Sequence, residues 1–176
     1  MRIRILFFVF FSTLITQPNV KLTQAIISFT GSHPFHDWTG ISTNVNLKTN
    51  CLETEICDFT FTIPWTSFDS GNDNRDNNML YYVNAFDFPN IEMKFKQIDL
   101  SKLIEFENSI TGILTINGIN QNFSIGVDYQ LKHNHFKVSS SFDISLDNFK
   151  INRPSLLLIP IDDLIYIHVD IDGIKN

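Results

Sequence analysis

At 176 residues, 43% hydrophobic and 18% charged, the chain is long enough to bury one sizeable core and too short to make a second domain the expectation. Its formal net charge is −6, with a pI near 5.2. An acidic chain lacks the Lys and Arg clusters that bind nucleic-acid phosphates and anionic lipid headgroups, so neither is an expected partner.

The opening departs from the rest in composition. Met1-Arg2-Ile3-Arg4 is basic, Ile5 to Ile15 is almost wholly apolar, and a polar run leads to Thr23-Gln24-Ala25. That order is the signature of a secretory signal peptide. The apolar part is about half the roughly 20 residues a membrane-spanning helix needs, and no Cys stands near the cleavage point to carry a lipid. The expectation is therefore a signal peptide over 1–25, cleaved near Ala25, and a single unanchored domain over 26–176, periplasmic or secreted. Arg2, Arg4 and Lys21 are the only charges up to Ala25, so cleavage leaves ten Lys and Arg against nineteen Asp and Glu.

From residue 26 onward the dominant period is two, broken by polar turns every ten residues or so, which predicts an all-β fold. A His-rich string, Gly31-Ser32-His33-Pro34-Phe35-His36-Asp37-Trp38-Thr39-Gly40, precedes the first clear alternation. Cys51 and Cys57 flank a turn-like Leu52-Glu53-Thr54-Glu55-Ile56 and could face each other at a hairpin mouth, as a disulfide or as free thiols; with no His nearby they make an incomplete zinc set. Phe59, Phe61, Ile63 and Trp65 then alternate, followed by the polar string Ser67-Phe68-Asp69-Ser70-Gly71-Asn72-Asp73-Asn74-Arg75-Asp76. Helix is predicted only over 77–85 and in a short turn over 100–104, with Asp99 or Ser101 as N-cap. Further strands carry Ile91, Met93 and Phe95, then Phe123, Ile125, Val127, Tyr129 and Leu131, then Phe136, Val138, Phe142, Ile144 and Leu146 with Ser140 as the polar exception. The last strand has Ile165, Ile167, Val169 and Ile171 on one side. Lys132-His133-Asn134-His135 reads as a solvated hairpin turn. This pattern fits a closed barrel or a sandwich, since both bury alternate residues.

The two strings, in this order and about thirty residues apart, resemble the YceI-like family of lipocalin-like, polyisoprenoid-binding proteins. The resemblance extends through Phe88-Pro89-Asn90-Ile91, the hairpin Ile110-Thr111-Gly112-Ile113-Leu114-Thr115-Ile116-Asn117-Gly118, Phe142-Asp143-Ile144, and Ile161-Asp162-Asp163-Leu164-Ile165-Tyr166-Ile167. It implies an antiparallel lipocalin-like β-barrel with one or two short helices, whose apolar lumen holds an isoprenoid or fatty-acyl chain, usually in the periplasm. It also implies carriage without catalysis or cofactor. On that reading Phe59, Phe61, Phe95, Phe123, Ile125, Val127, Tyr129 and Phe142 line the lumen, whereas alternation alone equally describes a solid core. The alternative function is a ligand-free secreted module acting through its surface in stress or adhesion, and a homodimer stays open.

The charged and polar candidates each carry two readings. His33 and His36 are three apart, which on one strand would aim them to opposite faces and away from a shared metal unless Pro34 marks a bulge or bend; they remain candidates for a buried hydrogen bond or a ligand headgroup. Arg75 either locks a loop by pairing with Asp76 or Asp69, or faces the lumen and holds a pyrophosphate or carboxylate headgroup. Trp38 is core or ligand wall. No nucleophile motif or phosphate-cradling Gly-rich loop is present, and the acid pairs Asp69 with Asp76 and Asp162 with Asp163 fall in turns or point apart, so the chain is not expected to be an enzyme.

Overall fold

The computed structural model describes residues 20–51, 55–103 and 108–175. The basic and apolar opening on which the signal-peptide reading rests lies outside them. The described elements are β1 (Val20–His33), β2 (His36–Ser42), β3 (Asn46–Cys51), β4 (Ile56–Pro64), α1 (Asp73–Tyr82), β5 (Asn90–Asp99), β6 (Asn108–Ile116), β7 (Ile119–Lys132), β8 (His135–Ser145), the two-residue strands β9 (Ser155–Leu156) and β10 (Ile159–Pro160), and β11 (Leu164–Lys175). Nine of the strands form one antiparallel sheet in the order β2-β1-β11-β8-β7-β6-β5-β4-β3, while β9 and β10 pair with each other.

Chain connectivity makes this sheet curl. Nine strands laid flat would hold β2 and β3 about 38 Å apart, yet these opposite edges are consecutive in the chain. The short link over 43–45 reaches about 14 Å at full extension, so the sheet rolls into an open-seamed barrel. The seam is bridged by the chain after β4: Ile41 N–H donates to the Asp69 carbonyl at 2.9 Å and Asp69 N–H to the Ile41 carbonyl at 3.0 Å. Beside it the buried Ser42 hydroxyl donates to Ser67 Oγ at 2.7 Å, and the Ser67 hydroxyl in turn donates to the Pro64 carbonyl at 2.6 Å. The two strings singled out in the sequence, 31–40 and 67–76, are thus the two sides of one seam.

Alternation places the apolar faces as expected. Ile63, Met93, Phe95, Leu114, Ile116, Ile125 and Val127 are buried on one wall, and Ala25, Ile27, Ile165, Val169 and Ile171 on the other. Leu131, at the end of β7, is 38% exposed. Ser140, the polar exception on β8, is buried and donates its hydroxyl to the Gly126 carbonyl at 2.7 Å, which satisfies it inside the wall. Asn117-Gly118 turns β6 into β7 with φ of 50° and 70°, the left-handed pair a two-residue hairpin requires.

Three boundaries differ from the sequence expectation. The helix starts at Asp73 rather than residue 77, because the Asn72 side chain caps it by accepting from Arg75 N–H at 3.0 Å, and Asp73 and Asp76 sit in the first turn where the helix dipole favours acids. At 100–104 a single 3₁₀ turn, Leu100–Lys102, forms with Asp99 as its cap; Ile104 lies outside the described residues. The third is the start of the domain: β1 runs from Val20, paired with β11 from Val20↔Lys175 onward, and Ala25 is buried inside it. The boundary expected at 25/26 falls within this strand. Cys51 and Cys57 stand opposite each other across β3 and β4 and form a disulfide.

Candidate functional site

Inside the barrel lie two cavities, one of about 420 Å³ and one of about 120 Å³. They share Met93, Phe142 and Val169 as wall, so they follow one another along the barrel axis. The smaller occupies the end where β1 begins and β11 finishes, between Phe59, Phe61, Phe95, Ile125, Val127 and Tyr129. Its lining is almost purely apolar. Burial, together with the nearby charge of Glu55, holds the Tyr129 phenol above its ordinary value, so at neutral pH it is an uncharged hydroxyl. This end is fastened by the Cys51–Cys57 disulfide and by an ion pair from Lys175 of β11 to Glu55.

The larger cavity lies at the opposite end, and its volume is within the usual range for a small-molecule site. Its body is Ile27, Phe29, Ile63, Trp65, Phe68 and Ile165. Its mouth is polar: His33, His36, Arg75, the carboxylate of Asp76 and the amides of Asn72, Asn74 and Asn78. An apolar chamber with a polar rim carrying both a cation and a carboxylate suits an amphipathic molecule with a long apolar part.

The local sequence explains the rim. Pro34-Phe35 turns β1 into β2, so His33 and His36 face each other as cross-strand partners with ring centroids 6.3 Å apart. The opposite-face geometry of a continuous strand therefore does not apply: the chain bends at Pro34, the exception allowed for, and the hairpin turn falls between them. His33 is buried; its Nδ1 accepts from Phe35 N–H at 3.3 Å, which leaves Nε2–H to donate to the Ile159 carbonyl at 3.2 Å. His36 sits at the exposed rim, its ring 6.0 Å from that of Trp38. Trp38 lies over its cross-strand partner Gly31, where a Cβ would fall 2.5 Å from the indole. Glycine at 31 is what lets the ring lie against the wall.

Arg75 is presented by the first turn of α1 and is half-buried at the mouth. Among the described residues its guanidinium makes no ion pair. Nη1 donates to the Ser70 carbonyl at 3.4 Å, whereas Asp76 accepts from the Ser70 N–H and hydroxyl, and Asp69 from Gly71 N–H. The lock with Asp76 or Asp69 is thus not formed; those carboxylates accept from Ser70 and Gly71 instead.

Of the residues predicted from sequence, His33, His36, Trp38 and Arg75 meet at the larger cavity. Phe59, Phe61, Phe95, Ile125, Val127 and Tyr129 meet at the smaller, and Phe142 faces both. Phe123 lines neither; it packs between Phe95 and Phe142, with ring centroids 5.5 and 5.9 Å away. Sequence reasoning missed Phe29, Phe68, Met79, Tyr82 and the 155–160 hairpin. The Asn72 cap with its first-turn acids was a legible signal for α1; the contribution of Phe29 required knowing the strand pairing.

No group of three or more His, Cys, Asp or Glu able to hold a metal occurs among the described residues. The nearest approach to a catalytic array is Ser141, His168 and Asp170, with Ser141 Oγ 2.8 Å from Nδ1 and Asp170 2.9 Å from Nε2. It stands on the outer face of the sheet, away from both cavities, where the backbone donors an oxyanion would need are spent in strand pairing.

The model of the YceI-like domain matches residues 19–172. The chain belongs to this family. The match begins one residue before β1 and ends within β11, so it takes in nearly all of the barrel of this YceI-like protein. Among solved structures, BcnA of Burkholderia cenocepacia superposes with a TM-score of 0.73 at 15% identity, covering 88% of this chain and 99% of its own. A polyisoprenoid binding domain from Saccharophagus degradans implicated in plant cell wall breakdown gives 0.71 at 12% identity, covering 89% and 98%. The YCEI protein of Campylobacter jejuni gives 0.58 at 16% identity, covering 100% and 99%. At these identities the likeness is one of fold. No curated protein matches the sequence.

Proposed function

We propose that this YceI-like protein is an exported carrier that holds an isoprenoid or fatty-acyl chain in the barrel lumen and performs no catalysis. The observation that carries this reading is the pair of cavities aligned along the barrel, the smaller almost purely apolar and the larger rimmed by Arg75, His33 and His36. Each buried CH₂ contributes about 0.8 kcal/mol, so a long chain binds tightly without a metal or a base. The guanidinium of Arg75, which makes no ion pair among the described residues, is the group that would hold an anionic headgroup in a two-pronged contact, with His36, Asp76 and the Asn amides beside it. The family and the polyisoprenoid binding neighbour support the ligand class. Export is supported by the charge and hydropathy order of the opening and by a disulfide, which suits an oxidising compartment. Processing ahead of Val20 keeps β1 whole.

Val127 is buried in the smaller cavity, and the next residue, Asp128, is exposed on the outer face. Val127→Lys is expected to abolish binding of a pyrene-labelled long-chain fatty acid, while Asp128→Lys binds as the unmodified protein does. Equal binding by the Val127 variant would overturn the lumen as the site.

A further inference from the structure

The run Leu156-Leu157-Leu158-Ile159, set between Ser155 and Pro160, is four consecutive apolar residues in a surface loop. It forms the β9–β10 hairpin: Leu156 pairs with Ile159, and Leu157-Leu158 are the turn. Both turn residues have positive φ, 52° and 68°. The same geometry at Asn117-Gly118 is met by the residues that tolerate it, whereas leucine rarely adopts it. Strained backbone of this sort concentrates where a function holds it.

The strained leucines are also solvated. Leu158 is 97% exposed, Leu157 74% and Phe35, on the adjacent β1–β2 turn, 59%. His33 Nε2–H to the Ile159 carbonyl and Asp162 N–H to the Ser32 carbonyl, at 3.2 and 2.9 Å, hold the two turns side by side. Leu156 belongs to both worlds, half-exposed on the hairpin and in the wall of the larger cavity. Apolar surface is thus continuous from the outside tip to the lumen.

We infer that this end of the barrel docks on the interface of a zwitterionic phospholipid bilayer, with Leu157, Leu158 and Phe35 immersed and the mouth of the lumen facing the membrane. The continuity through Leu156 selects the occupant: the phase that covers the tip is the one from which an apolar chain enters the lumen without crossing water. The acidic chain favours neutral over anionic headgroups. A short apolar tip seated at the boundary of headgroups and acyl chains gives reversible attachment, not a membrane span. This inference rests on the carrier reading above.

The test is flotation of the full processed protein with phosphatidylcholine vesicles, compared with Leu157→Asn/Leu158→Gly, which installs residues suited to the same backbone and preserves the hairpin. Uptake of the pyrene-labelled fatty acid from solution is measured in parallel. The proposal expects vesicle binding that is insensitive to salt and falls at least tenfold in the double variant, with probe uptake unchanged. No vesicle binding by the unmodified protein, or equal binding by the variant, overturns it. A dimer that dissociates in the variant, without vesicle binding, overturns it in favour of a second copy covering the tip. Vesicle binding that depends on the tip while neither protein takes up the probe upholds docking and removes the lumen reading instead.

Discussion

Asp163 and Asp170 are held below the ordinary aspartate value near 3.8 although their partial burial opposes this. For Asp163 the Ser145 hydroxyl, the Asp147 amide and the charge of Arg153 prevail; for Asp170 the Ser139 hydroxyl and His168 do. A carboxylate depressed on folding contributes stability that is complete above its unfolded value and is lost as pH falls through the folded one. The urea midpoint is therefore expected to decline only in the acid range below about pH 4 on account of these groups, and Asp163→Asn to shallow that decline; an unchanged slope in the variant would contradict the assignment. At the same scale, Ser140 looks like an error of pattern in the sequence and is repaired in the fold by the Gly126 carbonyl.

Among the elements, the β3–β4 hairpin is clamped by Cys51–Cys57 at the end of the barrel that holds the smaller cavity, and neither cysteine lines either cavity. Closing so short a loop is worth about 2 kcal/mol in the chain-entropy picture. Reduction is expected to lower stability by about that amount, read as a urea midpoint shift, while leaving binding of the pyrene probe intact; loss of binding on reduction would make the clamp part of the lumen. Strand identity was legible because inward and outward residues alternate, as along Phe123 to Tyr129. Element ends were not. The α1 start depended on one side-chain cap at Asn72, and the opposition of His33 and His36 depended on a turn at Pro34-Phe35 that a strand period hides. The start of β1 at Val20 was masked by a leader-like composition running into the strand.

For the whole molecule, curvature follows from connectivity: a short link between the two edge strands forces the sheet to roll, and the Ile41–Asp69 bridge fixes the seam. Periodicity could not tell a barrel from a sandwich or a filled core from a lumen, because each buries the same alternate residues. The difference lies in how rings such as Phe142 and Trp38 pack, which is a property of three-dimensional contacts. Occupancy of the lumen is tested most directly by native mass spectrometry of the protein purified from its own host, with organic extraction and identification of what is released. A stoichiometric lipid with a long isoprenoid or acyl chain, freed on denaturation, is the expected result. A bare polypeptide mass that persists after lipids are added back would contradict it.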